Sequence, residues 1–433
     1  MYLESNIKSE CCGCKVCASV CKKKAVSFEY DEEGFWYPKI SGEKCVDCGA
    51  CRKACPFSKD ELLPLKDENQ FYAAFSKDDE ILEASTSGGA FTHISDYVLE
   101  NGGVVFGHCY DEKLNVVCIM ANSKEQRNLF RGSKYVQSDM GNIYAAIKEK
   151  TESGVAVLVS GTPCQIDAVK KYFNEKIPEN LVLLEIICHG VPSPKIFQDY
   201  ILLIEMKKGK KVTDFKFRRK DKGWITPLRM IFYTDGTSCG ELLNADAFNN
   251  LFQGTDCILR PSCYSCRYAG NARIADLSIA DFWGVEKEEP EMFNDNKGCS
   301  LVLVNTEKGR HFFDIVKKNM KIKNIPMSKC ASRNLPLTGL PFPRINRKKF
   351  FEDYKKLGLE KSMKKHCFKL EKSFRMRIKR FVIRILGKNN VMKIKKILAY
   401  KASCERDCST AGGVPKRNGG MKRERKCAKP SPK

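Results

Sequence analysis

Between residues 70 and 343 the apolar positions fall into short unbroken runs that alternate with stretches of helical spacing. Val155 to Val159 and Leu181 to Ile187 are strand-length and continuous, the pattern of strands covered on both faces. Ala90 to Leu99 instead puts Phe91, Ile94 and Val98 on one face of a helix. Strands and helices in alternation predict an α/β body with a mostly parallel or mixed sheet and helices on its faces. Past residue 344 the pattern changes. Phe374, Ile378, Phe381 and Ile385, then Val391, Ile394 and Leu398, recur at helical spacing among lysines and arginines, which predicts a basic amphipathic segment over 344–402. Residues 403–433 are rich in Gly, Lys, Arg and Pro without apolar period, and the expectation there is a disordered basic tail.

Charge sharpens this division. The net charge is +24, yet Arg344 to Lys433 alone carries 30 Lys and Arg against 7 Asp and Glu, so the remainder is close to neutral. The basic stripe suits an anionic membrane surface or an acidic protein partner, and equally the protein's own body. Nucleic acid is not expected, because the tail contains no recognisable reading module. No run approaches about 18 apolar residues, and Met1 to Glu10 has no apolar core of the secretory kind, so the expected location is cytoplasmic, with the tail as a route to the inner face of the membrane.

The chain has 23 cysteines, and eight near its start form two copies of one spacing. Cys11, Cys14, Cys17 and Cys21 are followed by Cys45, Cys48, Cys51 and Cys55, each set reading Cys-x2-Cys-x2-Cys-x3-Cys. This is the run of a two-cluster 4Fe-4S ferredoxin, in which the fourth cysteine of each copy ligates the other cluster. Cluster one then takes Cys11, Cys14, Cys17 and Cys55, and cluster two takes Cys45, Cys48, Cys51 and Cys21. Paired Cys-x2-Cys also suits structural zinc, but two identical four-cysteine runs favour iron and sulfide. Residues 1–58 are therefore read as a small ferredoxin-like domain that moves electrons. Cys12 is an extra thiol within it.

Further chemistry lies in the body. Cys164, in Gly161-Thr162-Pro163-Cys164-Gln165, and Cys188, in Cys188-His189-Gly190, each follow a predicted strand, and parallel strands would bring both to the carboxyl edge of the sheet. Cys263 and Cys266 supply two more thiolates from one loop, enough for a third 4Fe-4S cluster, with Cys257 as a substitute ligand. The alternative is that Cys164 and Cys188 are ordinary core thiols. Ser87, Gly88 and Gly89 precede the Ala90 helix, where backbone N–H groups and the helix dipole favour a phosphate, although a plain capped helix start looks the same. No Gly-x-Gly-x-x-Gly follows a strand, so NAD(P) binding is not expected.

Five segments in order, Ser87-Gly88-Gly89-Ala90-Phe91, Arg131 to Ser138, Gly161 to Gln165, Cys188-His189-Gly190 and Ala275 to Gly284, resemble the family of coenzyme F420 hydrogenase/dehydrogenase beta subunits over roughly residues 1–320. The resemblance divides the body into 70–150, contacting flavin, and 151–343, carrying the third cluster. It implies FAD, with flavin contacts at Ser87, Gly88, Gly89, Ser133, Lys134, Gly161 and Thr162. His189 is the candidate proton donor, or a residue that only orients its loop, and Asp276 and Asp281 are candidates for ribityl hydroxyls or turn caps. The implied activity is an iron-sulfur flavoprotein oxidoreductase that passes electrons from a donor such as ferredoxin through 4Fe-4S clusters to FAD and an organic small molecule, or the reverse. Similar ferredoxin-fused members occur among polysaccharide-synthesis proteins. The alternative is an electron-transfer subunit that serves a partner enzyme and has no substrate chemistry of its own.

Overall fold

The computed structural model describes residues 1–58, 70–270, 272–331 and 333–367. The predicted stripe over Phe374 to Leu398 and the tail 403–433 lie outside them. In chain order the strands are β1 (Val26–Tyr30), β2 (Trp36–Ile40), β3 (Gln70–Ser76), β4 (Val104–Tyr110), β5 (Val116–Ala121), β6 (Val157–Gly161) and β7 (Leu181–Ile186). Then follow β8 (Val212–Arg219), β9 (Leu228–Tyr233), β10 (Ser238–Leu242), β11 (Leu277–Asp281), β12 (Ser300–Val304) and β13 (Met320–Ile325).

Eight strands form the central sheet in the order β13-β3-β12-β11-β7-β6-β4-β5. Its middle four, β11, β7, β6 and β4, run parallel. Antiparallel strands extend both sides: β5 beyond β4, and β12, β3 and β13 beyond β11. The sheet is therefore mixed, and only its centre has the parallel order that the alternating pattern suggested. Along β6, Val157 and Val159 enter one apolar cluster while Leu158 enters the cluster on the opposite face. Burial on both faces explains why this strand reads as a continuous apolar run.

A second sheet, β10-β9-β8, is antiparallel throughout. Phe215 and Phe217 of β8 pack with Phe197 and Phe248 in a separate aromatic core. The helix Arg347–Leu357 joins this core through Phe350, which is fully buried, with Phe351 and Tyr354. The start of the segment predicted as a basic appendage over 344–402 is thus part of the body.

The N-terminal unit, with its β1–β2 hairpin, is bolted to the body by polar contacts from several elements. Tyr144 donates its hydroxyl to the Cys14 carbonyl at 2.6 Å, Lys15 pairs with Asp139 at 2.5 Å, and Arg267 donates to the Pro56 carbonyl at 2.7 Å. Arg347 forks onto Glu33 of the hairpin turn, and Ser193 donates to the Glu33 carbonyl at 2.6 Å.

Candidate functional site

The two N-terminal cysteine loops repeat one backbone path. Gly13 and Asp47, each two residues after the first cysteine, have positive φ of 71° and 46°; Lys15 and Gly49, two residues further on, have 66° and 72°. These left-handed residues turn the chain between successive cysteines. A four-residue helix follows each loop, Val16–Ser19 and Ala50–Lys53, with Cys17 and Cys51 inside it and Cys21 and Cys55 just beyond. The thiols then meet across the repeat. Burial raises the Cys17 thiol, with Cys11 and Cys55 adding to it, while burial pushes Cys55 up to about 11 beside Cys11. Cys14 shares a hydrogen bond with Cys12 and is raised by burial and by Cys17 and Cys55; Cys51 is raised chiefly by burial and faces Cys21. Cys14 and Cys17 are buried against the body, whereas Cys45 and Cys48 are exposed.

Cys164, Cys188, Cys263 and Cys266 also come together. Burial raises the Cys188 thiol above its ordinary value, followed by the charges of Cys263, Cys164 and Cys266. Burial likewise pushes Cys263 to about 12 and Cys266 to about 11, each with Cys164 as a neighbour. The Cys12 thiol interacts electrostatically with both Cys14 and Cys164, so the two groups of thiols adjoin. Cys257 is not among them: it is fully buried in the aromatic core near Cys367. Among the described residues no three His, Cys, Asp or Glu side chains converge tightly enough to hold a single metal ion.

Beside these four cysteines, a cavity of about 510 Å³ opens at the carboxyl edge of β4, β6, β7 and β11. Such an edge is where open α/β sheets bind ligands. The cavity is lined by the N-terminus of the helix Ala90–Glu100, including Thr92, and by Arg131. Thr92 is buried and its Oγ1 has no hydrogen-bond partner, nor has Nε of Arg131. Cys188, His189, Gly161 and Thr162 also line it. Thr162 is tied to Gln165, whose side-chain oxygen accepts from the Thr162 N–H at 2.9 Å.

Several expected flavin contacts are otherwise engaged. Lys134 lines the cavity, but its ammonium donates to the carbonyls of Leu129, Phe130, Arg131 and Gly132 at 2.9 to 3.3 Å, so it ties together the turn just before it and has no spare donor. Ser87 lines the cavity but donates its hydroxyl to the Cys299 carbonyl at 2.9 Å. Gly88 lies behind the cavity wall: a Cβ there would meet Ala74 O at 2.3 Å and Ser300 N at 2.5 Å, so glycine is required for packing on β3 and β12. Gly89, with φ of 89°, and Ser133 do line the cavity. Asp276 sits within the core of the body, accepting from Leu183 N–H at 2.9 Å and Thr306 Oγ1 at 2.7 Å. Asp281 lines the cavity and is held by Arg218 at 2.5 Å and Trp224 Nε1 at 2.7 Å.

Three segments of the chain match families of known proteins. Residues 71–144 match the N-terminal domain described as coenzyme F420 hydrogenase/dehydrogenase, beta subunit, and residues 155–329 match its C-terminal domain. The chain belongs to this family. Residues 10–59 match a 4Fe-4S dicluster domain, which makes the ferredoxin-like unit an iron-sulfur domain. Among curated relatives, a component of the F420H2 dehydrogenase of Methanosarcina mazei is 25% identical over 73% of this chain and 85% of its own length. The coenzyme F420-dependent sulfite reductase of Methanocaldococcus jannaschii is 29% identical over 71% of this chain, which spans only 46% of that protein. A solved structure of the F420-reducing [NiFe] hydrogenase complex from Methanosarcina barkeri contains a chain with 21% identity, 71% and 93% coverage and a TM-score of 0.42.

Two features of this F420 hydrogenase/dehydrogenase relative have no signal in residue spacing. His189 Nε2 meets Asp256 Oδ1 at 2.6 Å, 67 residues away in sequence. His108 stands inside the cavity wall between Ser138 Oγ at 2.7 Å and the Ser160 carbonyl at 3.1 Å. A carbonyl only accepts, so Nε2 of His108 carries the proton and Nδ1 accepts from Ser138. Burial, then the charge of Lys134, lowers the His108 pKa to about 4, and the ring is neutral near pH 7. Among the described residues no helix is long and apolar enough to cross a membrane.

Proposed function

We propose that this chain is an iron-sulfur electron-transfer subunit of an F420-type oxidoreductase, with FAD in the cavity and a third 4Fe-4S cluster on Cys164, Cys188, Cys263 and Cys266. The observation that carries this reading is the convergence of those four thiols beside the cavity and next to the dicluster domain. The cavity fits the flavin nucleotide in chemistry as well as size: about 510 Å³ is within the range of cofactor pockets, and the orphaned Thr92 Oγ1 and Arg131 Nε at a helix N-terminus suit its phosphates. Bound flavin supplies the conversion between two-electron hydride chemistry and the single electrons of clusters.

The chain's own groups prepare that site. Asp256, almost fully buried, accepts a hydrogen bond from His189 Nε2–H and orients the imidazole, leaving Nδ1 to exchange a proton at the cavity. Neutral His108 fixes the end of β6 and carries no exchangeable positive charge. Ile187, Val191 and Phe252 give the cavity part of its apolar lining. At the other extreme, the exposed Cys45–Cys48 loop offers an entry point for a partner protein or a small donor such as ferredoxin. The relatives' names concern F420 and sulfite and lend no support to a polysaccharide role.

Anaerobic purification with iron, acid-labile sulfide and flavin measured on one sample tests the reading. Three cubane clusters give about twelve irons per chain, with one flavin. About eight irons and no flavin would overturn both the third cluster and the flavin site.

A further inference from the structure

Arg260 is fully buried, and no carboxylate accompanies it among the described residues. Its Nε donates to the Cys11 carbonyl at 2.6 Å and its Nη2 to Cys11 Sγ at 3.4 Å. Its other hydrogen bonds go to neutral groups, the Trp36 carbonyl at 3.0 Å and Gln137 Oε1 at 3.0 Å, the rings of Tyr37 and Phe35 lie at 4.4 and 5.4 Å from the guanidinium carbon, and the thiols of Cys12 and Cys263 are also within its field. A guanidinium without a counter-charge is costly to bury, because desolvation far exceeds what neutral hydrogen bonds return. The cost falls when an anion is built beside it, and a cubane on four thiolates is a compact anion.

We infer that Arg260 is the fixed counter-charge of the inner N-terminal cluster, raising its reduction potential above that of the outer one so that an arriving electron comes to rest on the body side. Hydrogen bonds to ligand sulfur and local charge are two of the levers that set such potentials. One-electron reduction adds one negative charge to the cluster and breaks no bond. The guanidinium keeps its proton throughout, so the reduced state gains more from it than the oxidised state. Among the described residues no equivalent buried arginine reaches the sulfurs of Cys45 or Cys48, which face solvent. Arg260 is also three residues before Cys263, so the loop that supplies two of the pocket-side thiols also supplies this charge. Its role is positioning and tuning, and the inference goes beyond the proposed function: it requires only the dicluster domain and holds whether or not the cavity takes a flavin.

The test uses the full chain purified anaerobically, with a dithionite titration followed by electron paramagnetic resonance against measured potential. Arg260→Gln keeps neutral donors and removes the charge, whereas Arg260→Lys keeps the charge and loses the fork. The expected result is full iron content with one reductive transition displaced to more negative potential by more than any other, further in Arg260→Gln than in Arg260→Lys, since only Cys11 is hydrogen-bonded to the guanidinium while Cys263 feels its charge alone. Tyr37→Leu removes the ring that faces the guanidinium and should leave that transition near its wild-type position. Unmoved transitions at full iron would overturn the inference, as would a common displacement of every cluster. Loss of four irons in both Arg260 variants, with Tyr37→Leu fully loaded, would reduce Arg260 to a structural residue.

Discussion

His189 Nε2 and Asp256 Oδ1 stand 2.6 Å apart, with His189 lining the cavity and Asp256 in a left-handed backbone conformation of φ 52°. The carboxylate is buried while the imidazole reaches the cavity, the order in which an orienting group and a proton carrier are arranged. Asp256→Asn preserves shape but removes the charge that fixes the ring. Electron transfer to a partner or acceptor should fall by about 10- to 100-fold, the range seen when an orienting partner is removed, with iron and flavin content unchanged. Steady-state rates of Asp256→Asn and His189→Gln check this, and wild-type turnover in His189→Gln eliminates the proton role.

The four pocket-side cysteines and Cys257 make opposite predictions. Cys188→Ser should lower the iron content by about four per chain, from about twelve to about eight, because a cubane needs its thiolates. Cys257→Ser changes one buried atom in the aromatic core and should leave iron unaltered. Iron analysis of the two variants side by side decides between a cluster site and a set of core thiols.

Gly88 tests the packing of the glycine pair against the sheet. A methyl group there meets backbone of β3 and β12 at 2.3 and 2.5 Å, and rigid strands cannot yield. Gly88→Ala should cost at least about 1–3 kcal/mol, the usual range for overpacking. Gly102→Ala is the control, since its added Cβ meets nothing within 4 Å and suffers only the strain of its φ of 72°. Urea midpoints of the two variants should differ, with Gly88→Ala the lower.

His108 predicts acid sensitivity. Its pKa is about 4 when folded and about 6.5 when unfolded. Between those values the unfolded chain binds a proton that the folded chain does not. Stability is therefore complete above pH 6.5 and declines as pH falls toward 4, by at most about 1.4 kcal/mol per pH unit from this group. His108→Asn should flatten that part of the profile. Urea titrations from pH 7.5 to 5.5 measure it, and parallel profiles for the two proteins would refute the assignment.

The cysteine runs announce the N-terminal unit because cluster ligation fixes spacing along the chain. Cys164 and Cys188 are also readable, since each follows an apolar strand and parallel strands share a carboxyl edge. The sheet's outer strands are not: β3, β12 and β13 pair across more than 200 residues and carry no local mark of their direction. Phe350 and Tyr354 are hidden by the lysines and arginines around them, which make a packed helix look like part of a basic appendage. His189 with Asp256, and Arg260 with Cys11, are matches between residues 67 and 249 positions apart. Such pairs have no period and no motif, and only the fold brings them together.

The contrast between exposed Cys45 and Cys48 and buried Cys14 and Cys17 also orders how the protein fails in air. Dioxygen and peroxide reach the outer loop first and are kept from the inner one by the body. Damage should therefore travel inward, and briefly aerated protein should retain iron in clusters that an outside donor can no longer reduce.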